Sequence, residues 1–243
     1  MAARGQRLAQ ILFSQGFGTR RDCDGLVLGG WVRHAGAVVD DPDALLDPAG
    51  LVLEVQGQAW EVHAKALLML HKPAGYECSQ KPKHHPSVLS LLPPPLRLRG
   101  VQPVGRLDED TTGLLLLTDD GALIHRLTSP KHHVPKVYEV SCKHPVDAGQ
   151  IARLLAGVKL VDDLATVAAA ACEATGETTL RLTLTEGKYH QVKRMLAAVG
   201  NRVEALHRSA IGGVVLPTDL PAGRWQWLQA ADRLALGLPP AVA

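Results

Sequence analysis

Residues 105–121 read GRLDEDTTGLLLLTDDG. Residues 105–111 read as a polar loop and 113–118 as an apolar strand, with Asp119–Gly121 turning into a helix around 121–128. Arg106, Asp108, Glu109 and Asp110 crowd into the loop directly ahead of Leu114–Leu117. Two readings are open: a polar loop that merely enters a core strand, or a loop in which one carboxylate does chemistry.

The flanking segments extend the pattern. LLMLHKPAGY (67–76) is a strand running into a Pro–Gly turn, and the proline-rich KPKHHPSVLSLLPPP (81–95) is a loop with one short helix. KVYEVSC (136–142) is a strand with Tyr138 and Val140 on one face, and VDAGQIARLLAGV (146–158) is an amphipathic helix. TTLRLTLTEG (178–187) alternates as a strand. In KYHQVKRMLAAVG (188–200), Val192, Met195, Leu196 and Val199 fall at helical spacing, and Gly200 closes the helix. VEALHRSAIGGVVL (203–216) reads as paired strands around a Gly–Gly turn. Strands outnumber helices and do not alternate with them, which predicts α+β with a largely antiparallel sheet.

Ahead of this lies a compact module. Leu8, Ile11, Leu12 and Gln15 lie at helical spacing until GFG (16–18) breaks the run, and Thr19 caps a second helix with Asp22 near its start. WVRHAGAVV (31–39) is a strand, a turn at Ala35–Gly36 and another strand; LVLEV (51–55) is a further strand after the acidic DDPDALLDPAG (40–50). GQAWEVHAKA (57–66) reads as a connection. The expected organisation is a module over 1–60, a linker over 61–66 and a larger unit over 67–243.

Composition narrows the class. The chain has 243 residues, 46% hydrophobic, enough for a sizeable core in one large domain or in a small one plus a medium one. No apolar run approaches bilayer-spanning length, and MAARGQRLAQILFSQG reads as structure and not as a secretion signal. The expectation is no membrane. Cys23, Cys78, Cys142 and Cys172 are far apart with no Cys-x-x-Cys pair, which fits free thiols in a reducing cytoplasm. Net charge is only +2, but residues 65–106 hold seven Lys or Arg against the single acid Glu77, and a second basic stretch runs from Lys188 to Arg208. Such stretches either attract phosphates or are plain solvated surface.

Several chemistries lack their residues. His84–His85 and His132–His133 are adjacent pairs with no cysteine beside them, a poor start for a tetrahedral zinc site, and no metal is expected. DEDTTG lacks the acidic spacing of an EF-hand loop. No phosphate-binding glycine motif and no G-x-S-x-G elbow occurs.

Three segments together carry a resemblance. GRLDEDTTGLLLLTDDG resembles the catalytic motif of RNA pseudouridine synthases. SPKHHVPKVY (129–138), EGKYHQVKRMLAAVGN (186–201), LHRSAIGG (206–213), HKPAGYECS (71–79) and HPSVL (85–89) resemble its RsuA branch. The first sixty residues are similar to the S-four type of RNA-binding domain. The resemblance spans nearly the whole chain, in order. It implies an N-terminal α/β RNA-binding domain and a catalytic domain built on a bent, mostly antiparallel mixed sheet flanked by helices. It also implies isomerisation of uridine in small-subunit (16S) ribosomal RNA, at uridine 516 by the usual rRNA numbering, with no cofactor.

The resemblance also assigns roles. Asp108 is the catalytic carboxylate, either attacking the anomeric carbon or taking the sugar's 2′ proton. Lys193 stands where many relatives carry an arginine that pairs with the aspartate; lysine brings the charge without a bidentate fork, and Arg194 is the fallback partner. Tyr138 stacks on the base, Val192 contacts it from below, and Arg106 holds the flipped-out state. Asp110 is expected to hydrogen-bond backbone amides and shape the loop. Arg7, Arg20, Arg21 and Arg33 are implied RNA contacts, although RLA stands at 7–9 where RLD is common and residues 40–54 are acidic. The expected partner is ribosomal RNA within a partly assembled small subunit, and the expected state is a monomer in the cytoplasm. A large-subunit RNA target and a non-catalytic assembly factor remain the alternatives.

Overall fold

The computed structural model describes residues 5–160 and 165–239. Residues 1–4 of the N-terminal stretch, and the last four residues of the expected 67–243 unit, lie outside them.

Leucines 114–117 explain the architecture. The strand Thr112–Thr118 lies inside a nine-stranded sheet, between Leu67–Lys72 and Val203–Ile211. Alternate side chains of a strand point to opposite faces. Leu115 and Leu117 join one apolar cluster with Leu68 and Leu70; Leu114 and Leu116 join another with Leu67 and Met69. All four leucines are fully buried because both faces of the sheet are covered, so the strand reads as a continuous apolar run.

The main strand order is Ala171–Ala174, Thr179–Leu184, Lys136–Cys142, Val203–Ile211, Thr112–Thr118, Leu67–Lys72 and Trp225–Trp227. The pairings along this path are antiparallel except one: Val203–Ile211 meets Thr112–Thr118 in parallel, at His207–Thr112 and Arg208–Gly113. At that junction a Cβ on Gly113 would lie 2.3 Å from the Arg208 carbonyl oxygen, and Gly113 has φ +107°. Only glycine fits such a close approach in that conformation.

Side-chain caps open several of the helices. Gly121–Thr128 is capped by Asp120, whose carboxylate accepts the Ala122 and Leu123 amides. Ala148–Ala156 begins at a capping box between Asp147 and Gln150. Gln191–Ala198 buries Val192, Met195 and Leu196 in a third cluster with Tyr138, Leu154 and Leu182. In the N-terminal part, the helices Leu8–Gln15 and Arg20–Leu28 pack beside a four-stranded antiparallel sheet. Thr19 and Asp22 form a capping box on the second helix.

One expectation needs correction. GQAWEVHAKA is not only a connection: Gln58–Glu61 is a strand, paired antiparallel with Val52–Val55, and it buries Trp60. Trp60 meets Phe17 and Trp227 edge-on, and that tertiary contact outweighs the polar character of the segment. The C-terminal strand Trp225–Trp227 completes the sheet edge, and Leu236 and Leu238, just past the helix Ala230–Ala235, join the cluster of Leu114 and Leu116.

Candidate active site

A cleft of about 730 Å³ opens beside the parallel junction. Its size falls within the roughly 300–1,000 Å³ of typical small-molecule sites. Arg106, Leu107 and Asp108 line one wall, Lys136, Tyr138 and Arg208 come from the sheet, and His190, Val192 and Lys193 come from the start of a helix. Tyr138 is the cross-strand partner of Arg208, so both side chains rise from the same sheet face, and Lys136 stands two residues from Tyr138.

The loop carrying Asp108 is held from behind. Lys72 is fully buried, and its Nζ donates to the carbonyl oxygens of Pro73, Glu109 and Thr111 at 3.0, 3.1 and 2.7 Å. Burial pushes the Lys72 ammonium below its ordinary pKa, against the pull of Cys78 and of the loop acids Asp108–Asp110. The Gly75 amide donates to the Glu109 carbonyl at 2.8 Å, and the Leu107 amide to Cys78 Sγ at 3.4 Å. Burial likewise raises the Cys78 thiol. Glu109 thus serves through its backbone, with its side chain exposed.

Asp108 is partly exposed and sits between two nitrogens. Lys193 Nζ is 3.3 Å from Oδ2, and His190 Nε2 is 3.3 Å from Oδ1. Lys193 also binds Asp110, at 2.7 and 2.8 Å to its two carboxylate oxygens. Asp110 therefore gives its side chain chiefly to Lys193, beside a bond from its own backbone amide. Burial works to raise the Asp110 carboxyl, but the Lys193 hydrogen bond and charge outweigh it and hold the group below the usual carboxylate range. Burial likewise opposes the Lys193 ammonium, and the two aspartates overcome it and raise it above its ordinary value. Arg194 points elsewhere, donating to the Tyr189 carbonyl at 3.3 Å. The geometry favours Lys193 over Arg194 as the neighbour of Asp108.

This arrangement presents a carboxylate with a lysine ammonium beside it, an aromatic floor and an apolar wall in one cleft. The RNA pseudouridylate synthase family model matches residues 66–198, which span Asp108, Tyr138 and Lys193 and the elements that carry them. The chain belongs to that family. Ribosomal small subunit pseudouridine synthase A of Escherichia coli K12 is 46% identical over 164 residues, covering 68% of this chain and 71% of the relative. The protein of the same name from Yersinia pestis is 44% identical over 171 residues, 70% and 72% of the two chains. An uncharacterised RNA pseudouridine synthase of Bacillus subtilis, YtzG, is 38% identical over 238 residues, 97% of this chain and all of that one. A pseudouridylate synthase crystal structure superposes with a TM-score of 0.68 at 34% identity, covering 95% and 99% of the chains. The α+β fold matches, and the protein is an RNA pseudouridine synthase of the RsuA type.

In this synthase the cleft brings together Arg106, Asp108, Tyr138, Val192 and Lys193, all singled out from the sequence. Tyr138 is 8% exposed and Val192 4%, while Arg106 is exposed. The four arginines of the N-terminal part lie apart from it. Arg7 pairs with Asp43, and Arg33 lies 3.8 Å from Glu54, so the acidic 40–54 segment engages two of them. Arg20 lies over the Phe13 ring, and Arg21 is exposed.

Sequence reasoning missed three residues at the site. His190 lies three positions before Lys193, a helical spacing that could have flagged it. Its backbone is left-handed at φ +47°, and its ring stacks on Tyr189 at 3.8 Å. Lys72 in HKPAG gave a weaker signal, a lone lysine ending an apolar strand. Arg208 is 3% exposed; its Nε donates to the Leu114 carbonyl at 2.8 Å, while Nη2 finds no partner among the described residues. Among those residues no group of three or more His, Cys, Asp or Glu could hold a metal ion, and no helix is long and apolar enough to cross a membrane.

Proposed function

We propose that this synthase isomerises a uridine of small-subunit (16S) ribosomal RNA, uridine 516, with Asp108 acting on the sugar. The observation that carries the reading is Asp108, lodged in the cleft with Lys193 Nζ and His190 Nε2 each 3.3 Å away. The names of the E. coli and Y. pestis relatives support the choice of RNA.

The reaction breaks the bond from C1′ to N1, turns the uracil and joins C1′ to C5; the C5 proton leaves and N1 gains one. No atom is lost and no redox change occurs. An ionised Asp108 serves either route, attack on C1′ or removal of the 2′ proton. Lys193, 3.3 Å away, supplies the counter-charge for a carboxylate acting there. Tyr138 stacks on the flipped base, Val192 supports it from the apolar wall, and Arg106 holds the flipped nucleotide's neighbours at the rim. The apolar wall excludes water, which would otherwise compete for the sugar.

Residues 1–60 act as an RNA-binding module, joined through 61–66 to a catalytic unit over 67–243. Arg20 and Arg21 carry more of its phosphate contact than Arg7 and Arg33, whose charges Asp43 and Glu54 offset. The substrate is ribosomal RNA in a partly assembled small subunit, and the enzyme works as a cytoplasmic monomer.

The test incubates the protein with assembling small subunits and maps pseudouridine by carbodiimide-blocked primer extension. A new stop at the target uridine is expected with wild type and none with Asp108→Ala. Modification that survives Asp108→Ala would sink the catalytic assignment, and a stop only in large-subunit RNA would redirect the substrate.

A further inference from the structure

Between Cys78 and Val88 the chain makes an exposed loop, SQKPKHHPS, outside any helix or strand but for the bridge that closes it. Its ends meet at Glu77 and Ser87: the Glu77 amide donates to the Pro86 carbonyl and the Val88 amide to the Glu77 carbonyl, both at 2.9 Å. It is a short closed surface loop, a form often used for function. One side chain gathers the backbone of its far end. Glu77 Oε1 accepts the amides of His84 and His85 at 2.8 and 2.9 Å, and Oε2 accepts that of Lys83 at 3.1 Å. Three consecutive N–H groups form a concave anion site, and here the chain supplies the anion itself. These bonds to His84, His85 and Lys83 pull the Glu77 carboxyl down to about 2, so the fastening holds throughout the physiological range.

The consequence is directional. With their backbone amides turned inward to Glu77, residues 83–85 present their side chains outward, and Lys83, His84 and His85 all line the cleft that holds Asp108. No acid occurs from Ser79 to Ser87, and among the described residues Lys81 and Lys83 make no ion pair. Glu77's oxygens take their hydrogen bonds from the backbone, and the His84 side chain adds only a smaller electrostatic attraction.

We propose that this loop is a phosphate-contacting strap for the single strand that flanks the target nucleotide, and that Glu77 is its positioning residue. The proposal rests on the assignment of RNA as substrate. Lys83 supplies charge, His84 and His85 supply donors, and Glu77 sets where they stand. The strap contributes to substrate capture and leaves the chemical step to Asp108.

Two variants separate this from simple electrostatics. Removing an acid from an RNA-facing surface should strengthen binding if Glu77 were only a charge. Glu77→Ala is instead expected to raise KM severalfold with kcat held within about twofold, because the strap loses its shape. The triple variant Lys83→Ala/His84→Ala/His85→Ala is expected to raise KM about tenfold at low salt. It should also flatten the dependence of log kcat/KM on log salt by about 0.7 for each phosphate the strap no longer neutralises. Glu77→Gln, which keeps the size and an acceptor, should fall between wild type and Glu77→Ala, and thermal unfolding midpoints should stay near wild type for all three. A lower or unchanged KM for Glu77→Ala, or an unchanged salt slope for the triple variant, overturns the proposal. Binding of a fluorescein-labelled oligouridylate, measured by anisotropy across salt, reads the strap independently of catalysis. A wild-type protein inactive on small-subunit particles would therefore refute the substrate reading without deciding this one.

Discussion

Lys193 serves two carboxylates at once, and this division defines the chemistry of the cleft. It holds Asp110 at 2.7–2.8 Å and Asp108 at 3.3 Å, so Asp110 anchors the ammonium and Asp108 shares its charge from slightly farther away. Asp110 titrates below its ordinary 3.8 and Lys193 above its ordinary 10.5. A carboxyl lowered by folding contributes stability above its unfolded pKa and loses it as pH falls through the folded one; an ammonium raised by folding contributes below its unfolded pKa and loses it as pH rises through the folded one. The pair is thus intact across the neutral range. The stability of wild type over Asp110→Asn should be constant from pH 5 to 7 and shrink on acidification below 3.8, by a modest amount because the Asp110 side chain is 58% exposed. Carbon-13 titration of the Asp110 carboxyl checks this directly: an upward shift is expected in Lys193→Gln, and a wild-type value above 3.8 would contradict it.

The strand Thr112–Thr118 links this chemistry to the core. Its first residues end the Asp108 loop, its leucines are buried on both faces, and Thr112 reaches His207 across the parallel junction, Oγ1 to Nδ1 at 2.9 Å. Gly113 is a point of close approach between the two halves of the sheet, since a methyl group there would stand 2.3 Å from the Arg208 carbonyl oxygen. Gly113→Ala strains a positive φ and must also part these strands, at about 3 kcal/mol. At about 2–4 °C per kcal/mol for a chain of this size, the unfolding midpoint should drop by about 6–12 °C. Because the same shift displaces the loop, kcat should fall too, whereas Gly121→Ala, where a Cβ meets nothing, should leave the midpoint within about 2 °C.

Across the molecule, the N-terminal part and the large sheet share one apolar cluster, from Leu8 and Ile11 through Trp60 to Leu68, Leu115 and Trp227. A buried arginine ties the same regions together. Arg99 donates to Asp119 Oδ2 at 2.8 Å, to Gln15 Oε1 at 2.9 Å and to the His63 carbonyl at 3.0 Å, and Asp119 Oδ1 in turn accepts the Ala66 amide at 2.8 Å. The segment between the two sheets is thereby pinned on both sides. Arg99→Met leaves Asp119, whose side chain is 12% exposed, without its cation, which should cost about 3 kcal/mol, the low end for a buried pair. Chemical denaturation should show that loss, together with faster hydrogen exchange at Gln15 and Ala66; unchanged exchange there would place the stabilisation elsewhere.

Most of the catalytic loop and its strands could be read from residues alone because their signals are local. A Thr19 cap with Asp22 near the helix start, a closing Gly200 and an alternating strand at 179–184 depend on neighbours a few positions away. The site residues came through the resemblance of their motifs: Arg106, Asp108, Tyr138, Val192 and Lys193 line one cleft. The contacts that join distant segments could not be read in this way. Whether Lys193 or Arg194 faces Asp108 depends on the rotation of a helix set by the packing of Val192, Met195 and Leu196. That Gln58–Glu61 is a strand depends on where Trp60 finds Phe17 and Trp227. That Lys72 holds the Asp108 loop depends on a strand pairing that brings residues 37 and 39 positions apart together. Local propensity and capping are encoded within a turn or two of chain, whereas the register of the sheet, and with it the surroundings of Asp108, emerges only when the buried faces pack.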